Sequence, residues 1–344
     1  MSDIQTVQVN LEDRSYPVFI GRGARHELAA QINPAVRRIA VVTQDGVPAQ
    51  LIPDFADLET HTFVIGDGEI HKTLDTVQTL CRSFSEVGIT RSDLVLGVGG
   101  GLVTDVAGFT AAVYHRGLGV MHVATTLLGM IDAAIGGKTG VNIPEGKNLI
   151  GSYWQPQAVA CDMDALLSLG ERDLQCGYGE MAKYHFISRQ DLSLLPLGQR
   201  IARCVQIKAD IVASDERESG QRALLNYGHT LAHAVEIATN FTMPHGVAVS
   251  VGILYAAHLA QVMGRIPETR VQEHYDIVHG IYNLQTALPA DFDSVAAITS
   301  MRRDKKALSS LTFVLDSKDG LQIVDGILEQ DLKQAFDALR SRQG

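Results

Sequence analysis

Cysteine is scarce in this chain: Cys81, Cys161, Cys176 and Cys204 stand far apart, with no C-x-x-C pair. That spacing fits buried thiols in a reducing compartment better than a disulfide frame or a cysteine-based zinc site. Basic charge is also in short supply, 29 Lys and Arg against 39 Asp and Glu, for a net charge of -10. Such a balance argues against non-specific attachment to nucleic acid or to an anionic membrane, while leaving room for a local basic pocket. The most apolar stretch, Leu102 to Ile135, is interrupted by Asp105, His115, Arg116, His122 and Asp132, so it offers no unbroken membrane span. The first residues alternate polar and apolar side chains without the charged-then-apolar pattern of an export signal. They read as a first strand, and the expected location is cytoplasmic. Internal repeats and low-complexity linkers are missing as well.

What is present is an ordinary globular composition, 46% hydrophobic and 20% charged, in 344 residues, a length that suggests two domains. The expected boundary lies at 170/171. In the first part strand, loop and helix repeat: a hairpin of Thr6 to Leu11 with Tyr16 to Ile20, strands at Arg38 to Thr43 and His61 to Ile65, then an amphipathic helix with Leu74, Val77, Cys81, Phe84 and Val87 on one face. The next strand runs from Leu94 into Gly99, Gly100 and Gly101, with a helix expected to begin near Asp105. Glycines there let a phosphate approach backbone N–H groups at a helix N-terminus, although the pattern is not G-x-G-x-x-G. A strand from Gly119 to Ala124 ends in Thr125 and Thr126, where open α/β sheets bind ligands. Asp132 to Asn142 and Gly146 to Asn148 then supply glycines, Lys138, Lys147 and Asn148, the makings of an anion-binding loop region.

From 171 onward helical patterns dominate, at Cys176 to Phe186, Leu197 to Ser214, Ala223 to Thr239, Ala248 to Met263, Thr269 to Tyr282 and Gln330 to Arg340. If the third of these begins one residue earlier, Arg222, Asn226, His229 and His233 fall at i, i+4, i+7 and i+11, a polar stripe on one helical face. The His229–His233 spacing is one that metals use, and His245 beyond it offers another nitrogen; two surface histidines would read the same way. Glu180 with Lys183 at i, i+3, Lys208, and the run Asp215 to Glu218 look like solvated charge on periodicity alone.

Several segments taken in order carry more: Gly68-Glu69-x-x-Lys72, Gly99-Gly-Gly-x-x-x-Asp105, Arg116-Gly, Thr125-Thr, Asp132-x-x-x-Gly-Gly-Lys138, Gly146-Lys-Asn148, Gly-Glu180-x-x-Lys183, Asp215-Glu-Arg-Glu218, Arg222-x-x-Leu-Asn226-x-Gly-His229, His245-Gly and Asp304-Lys305-Lys306. In that order the chain resembles the 3-dehydroquinate synthase family of sugar phosphate cyclases. The resemblance implies an α/β fold with a Rossmann-like NAD-binding domain (1–170) and a mainly α-helical metal-binding domain (171–344), the site lying in the cleft of the two. It implies conversion of 3-deoxy-D-arabino-heptulosonate 7-phosphate to 3-dehydroquinate and phosphate by transient oxidation, elimination, re-reduction and ring closure. Glu180, His229 and His245 would bind Zn2+ or Co2+, overriding the His229–His233 pairing that spacing suggests. His233, Glu218 and Lys138 would be catalytic, the first two carrying protons, and Lys138 would also hold substrate. Arg116, Asp132, Asn148, Lys183, Lys208, Arg222, Asn226 and Lys305 or Lys306 complete the substrate set, with Arg116 reaching across a homodimer. NAD would be met by Gln44 or Asp45, Glu69, Lys72, Gly99, Gly100, Gly101, Asp105, Thr125, Thr126 and Lys147.

The chain departs from the family pattern at Gln44, where an Asp is frequent, at Val247, where His-Gly-Glu is frequent, and at Ala232, where Gly is usual. The Val247 change is expected to alter how His245 is oriented. Alternatives are a cyclitol-forming cyclase, a metal-dependent alcohol or glycerol dehydrogenase, and a non-catalytic sugar phosphate binding protein.

Overall fold

A computed structural model describes residues 4–342, apart from 56, 241, 290 and 305–310. The chain divides into two compact units, 1–170 with 195–217, and 171–194 with 218–344. A single cut at 170/171 therefore does not describe it, because one helical segment returns to the first unit.

In the first unit β1 (Gln5–Val9) and β2 (Tyr16–Gly21) form the expected hairpin. They are followed by β3 (Arg38–Thr43), β4 (Glu59–Val64), α1 (Leu74–Glu86), β5 (Leu94–Gly99), α2 (Gly101–Val113) and β6 (Gly119–Ala124). Next come β7 (Lys138–Ile143) and β8 (Gly146–Tyr153), an antiparallel pair standing apart from the main sheet, and β9 (Ala158–Asp162). The sheet order is β1-β2-β9-β6-β5-β3-β4, parallel everywhere except in the β1–β2 pair. β5 is buried at every position, which is why it reads as a continuous Leu-Val-Leu-Gly-Val-Gly run without alternation. α1 opens on Thr73, whose side chain accepts from the Thr76 N–H at 3.2 Å, and it turns Val77, Leu80 and Phe84 inward.

The chain steps from β3 outward to β4 and then back to β5 on the other side of β3. That reversal is a topological switch point, the place where open α/β sheets take ligands. The β3 and β5 strands end there in Gln44 and in Gly99 to Gly101. α2 begins at Gly101, four residues earlier than the sequence suggests, because Gly100 is extended and serves as its cap.

α3 (Glu171–Ser188) opens the second unit, and α4 (Leu197–Ser214) returns to pack on β1 and β2 of the first. The second unit continues with α5 (His229–Ala238), α6 (His245–Val262), α7 (Glu268–Tyr275), α8 (Ser294–Asp304), the short pair β10 (Phe313–Leu315) and β11 (Gln322–Val324), and α9 (Glu329–Ser341). The continuous helix expected from Ala223 to Thr239 is broken. Gln221–Asn226 forms a tight 3-10 segment, and Gly228 at φ 84° turns the chain before α5 starts at His229. Arg222 and Asn226 thus do not share a helical face with His229 and His233.

α6 is apolar on all sides and is the core of this unit. It is also the one helix among the described residues long and apolar enough to cross a membrane, and 83% of that window is buried inside the structure. Glycines set how closely its neighbours approach. A Cβ at Gly179 on α3 would run into the Gly246 carbonyl oxygen, one at Gly246 into that of Cys176, and one at Gly252 into that of Gly228. Gly252→Ala tests this contact: alanine's better helix propensity favours the variant by about 1 kcal/mol. A rigid carbonyl cannot rotate aside, so overpacking of about 1–3 kcal/mol outweighs that gain. The urea midpoint is expected to fall; an unchanged or higher midpoint would mean the helices do not meet this closely.

Candidate active site

The close crossing of α3 and α6 carries Glu180 to His245, and the turn at Gly228 carries His229 to the same point. Glu180 is fully buried, and its Oε1 lies 3.1 Å from His229 Nε2 and 3.0 Å from His245 Nε2. Together these residues offer three donor atoms, all within 4.8 Å of one another. The set is the one the resemblance implies; His233, which the spacing argument pairs with His229, sits outside it. The His233 ring lies edge-on to His229 at 5.7 Å between centroids and is exposed.

Each imidazole is held by its other nitrogen. His229 Nδ1 lies 3.3 Å from the Tyr227 carbonyl, and His245 Nδ1 lies 3.4 Å from Glu236 Oε2. This fixes both Nε2 atoms toward Glu180, the arrangement seen when histidine ligates a metal. Two imidazole nitrogens and a carboxylate suit zinc or cobalt and leave a coordination position open. Glu236, itself buried, thus orients His245. Sequence reasoning assigned Glu236 no role; its i+7 relation to His229 on one helix face was the available signal.

Burial alone would raise the Glu180 carboxyl, but Lys183, His229 and His245 hold it well below the usual range. Burial pulls His229 down against the opposing charge of Glu180, so that ring is neutral. Burial acts on His245 in the same sense, yet hydrogen bonds and charge from Glu180 and Glu236 prevail and raise it to about 10. A raised histidine is cationic below its folded value, so its stabilising contribution is complete below about 6.5 and fades as pH rises through about 10. A metal needs the neutral ring. Uptake of one Zn2+ at neutral pH is therefore expected to release about one proton, not two, with apparent affinity rising about tenfold per pH unit toward 10. Calorimetry in buffers of different ionisation enthalpy counts that proton; none released, or two, would contradict this charge assignment.

In the first unit the expected nucleotide positions gather at the carboxyl edge of the sheet. Gly99, Gly100 and Gly101 lead into α2, and the Thr125 N–H donates to the Gly99 carbonyl at 3.0 Å. Thr126 lies against Gly100, where a Cβ would stand 2.9 Å from its methyl carbon. Gln44 Nε2 donates to the Gly66 carbonyl at 3.2 Å and to Asp67 at 3.0 Å, so it binds the loop that carries Glu69. Asp45 beside it is exposed. Lys72 is buried and pairs with Asp105, whose carboxyl burial raises against the pull of that lysine.

Of the expected substrate contacts, Lys208 pairs with Asp132 through both its carboxylate and its carbonyl, and Lys183 pairs with Glu180. These are ion pairs with buried lysines, not the solvated charges that periodicity suggests. Arg222 is buried, Asn226 Nδ2 donates to Glu218 Oε1 at 2.8 Å, and Lys138, Lys147 and Asn148 are exposed along the β7–β8 pair. Where the sequence suggests only a glycine-rich loop there is thus a two-stranded ribbon. Within the run 215–218, Glu216 takes both guanidinium nitrogens of Arg14 at 2.5 and 2.9 Å and the Gln155 amide at 2.9 Å. Arg116 stands exposed in a tight turn at φ 65°. Lys305 and Lys306 lie outside the described residues.

Comparison with known proteins agrees with this geometry. The model of the 3-dehydroquinate synthase N-terminal domain matches residues 62–176, and that of the 3-dehydroquinate synthase C-terminal domain matches 177–307. A putative aminodehydroquinate synthase of Amycolatopsis mediterranei is 47% identical over 94% of this chain and 91% of its own length. The 3-dehydroquinate synthase of Leifsonia xyli subsp. xyli is 40% identical over 86% of this chain and 87% of its own. Among solved structures, the 2-epi-5-epi-valiolone synthase of Streptomyces hygroscopicus subsp. jinggangensis, with NAD+ and Zn2+ bound, superposes with a TM-score of 0.82 at 26% identity, covering 97% of this chain and 99% of that one. A parallel sheet ending in glycines at its switch point, a helical unit that gathers Glu180, His229 and His245, and matches spanning most of the chain make it a member of the 3-dehydroquinate synthase family.

Proposed function

We propose that the chain catalyses the 3-dehydroquinate synthase reaction, closing a seven-carbon ketose phosphate into a carbocycle with loss of phosphate. The observation that carries the reading is the Glu180, His229 and His245 cluster, its two Nε2 atoms fixed from behind, in a chain of this family. NAD+ supplies an acceptor that takes a hydride and returns it within one turnover, and a divalent ion supplies polarisation of the oxygen being oxidised. Oxidising one ring hydroxyl to a ketone acidifies the neighbouring C–H, which lets phosphate leave by elimination.

The protein's own groups bind, orient and move protons. Exposed beside His229, the His233 imidazole serves as a proton carrier for the ring hydroxyl. Glu218, its carboxylate fixed by the Asn226 amide, is the second proton-transfer position. Lys138, Asn148, Lys183, Lys208, Arg222, Asn226 and one of Lys305 and Lys306 hold the carboxylate and phosphate. Glu69, Lys72, Asp105, Lys147, the 99–101 glycines, Thr125, Thr126 and Gln44 or Asp45 serve NAD. Arg116 reaches the phosphate bound by a second copy in a cytoplasmic homodimer, a task suited to a planar fork that does not titrate.

A second reading follows from one observation, the 47% identity to a putative aminodehydroquinate synthase against 40% to the Leifsonia enzyme. Under it the preferred substrate carries an amine in place of one hydroxyl. The chemistry of the site is the same, so paired assays separate the two. With catalytic NAD+ and Zn2+, phosphate release is expected without accumulation of NADH; steady NADH build-up would favour a dehydrogenase instead. The heptulosonate phosphate is expected to be turned over with the higher kcat/KM, and an amino analogue that wins by tenfold or more would transfer the assignment to the second reading.

The histidines are separable in the same assay. His245→Ala is expected to lose metal and activity together, while His233→Ala keeps its metal and loses activity by on the order of 100-fold, the usual size of a missing proton carrier. Equal metal loss in both variants would restore the His229–His233 pairing.

A further inference from the structure

Asn142 lies in β7 at an irregularity where the pairing with β8 shifts register between Val141 and Ile143. A bulge of this kind takes a residue's backbone out of its own ladder and re-aims it. Released in this way, the Asn142 N–H donates to the Lys72 carbonyl at 2.8 Å, and Thr73 bridges to Asn142 in parallel. The side chain uses both ends. Its Nδ2 donates to Glu69 Oε1 at 3.0 Å, and its Oδ1 accepts from the Asn148 N–H at 2.9 Å. Asn148 can offer that N–H because it sits in the left-handed region at φ 55°.

Two segments are thereby tied to one amide: the loop with Glu69 and Lys72, and the start of β8 with Lys147 and Asn148. We infer that Asn142 is a positioning residue that fixes the cofactor-side carboxylate of Glu69 and the substrate-side start of β8 at Asn148 in a single geometry. The inference rests on the function proposed above, in which Glu69 serves NAD and Asn148 serves the sugar phosphate. Only an amide of this length fits. One end must donate to a carboxylate while the other accepts from an N–H, and Asn does both on one rigid plane. Aspartate keeps the acceptor for Asn148 but sets a second negative charge against Glu69. Leucine, of similar shape, removes both bonds.

The two substitutions therefore fail differently. Asn142→Asp is expected to raise the NAD+ dissociation constant of the full chain about tenfold, the usual weight of a hydrogen bond to a charged group, while KM for the heptulosonate phosphate stays within about twofold. Asn142→Leu is expected to raise both constants and to expose the Asn148 amide to hydrogen exchange, whereas Asn142→Asp keeps that amide protected. A hairpin prop would not separate the two ligands: both constants would move in parallel with the melting temperature in both variants, and that pattern would overturn the inference. A wild-type chain that binds NAD+ with both variants binding it equally well would overturn this inference alone. A wild-type chain that takes up no NAD+ would overturn it together with the function on which it rests.

Discussion

A carboxylate with no exposed surface cannot be left to itself, and in the helical unit Glu180 sets the terms for everything around it. Stripping its water is costly unless opposite charge and hydrogen bonds replace that water. Lys183 one turn along α3 supplies the charge, and His229 and His245 supply ring nitrogens at 3.1 and 3.0 Å. Those distances require α3, α5 and α6 to meet nearly backbone to backbone. Side chains at Gly179, Gly246 or Gly252 would hold the helices apart by the width of a methyl group. The glycines of this unit are therefore conditions for the electrostatics, and a cluster of three ligand atoms within 4.8 Å follows from them.

The sheet unit solves a different problem with different means. At the end of β5 the backbone N–H groups that open α2 face outward, as they do where a strand ends at a switch point. Side chains brace that edge. Gln44 holds the 66–67 loop, Thr126 packs on Gly100, and Asn142 ties the loop of Glu69 to the start of β8.

How much of this could be read from the sequence differs by physical origin. β1 to β6, α1 and α4 rest on local patterns of period two or 3.6, and the sequence places them within a few residues. The continuous helix expected from Ala223 to Thr239 is broken because a left-handed Gly228 is invisible to hydrophobic periodicity, which Leu224, Leu225 and Leu231 satisfy on either side. The break takes Arg222 and Asn226 off the face of His229 and His233, whose i, i+4 spacing survives within α5; the ordered motifs of the family, not that spacing, point to Glu180 and His245. Asn142 escapes for another reason: it acts on Glu69, 73 positions away, a neighbour made by tertiary packing that no local period encodes. The isolated charges Lys183 and Lys208 mislead in the same way, since a lysine looks solvated until the fold shows the acid paired with it.

The buried lysines share one arrangement. Lys72, Lys183 and Lys208 are each no more than 5% exposed, and each is met by a carboxylate, of Asp105, Glu180 and Asp132 respectively. Each carboxylate replaces part of the water that its ammonium gives up and holds that side chain in one geometry before any ligand arrives. The cost of ordering them falls on folding and not on binding. An anion that approaches such a pair must share the lysine with the resident acid, so a singly charged ligand gains little from any one of them. The acid beside each lysine thus sets a threshold that an incoming anion must exceed before it can take that lysine over.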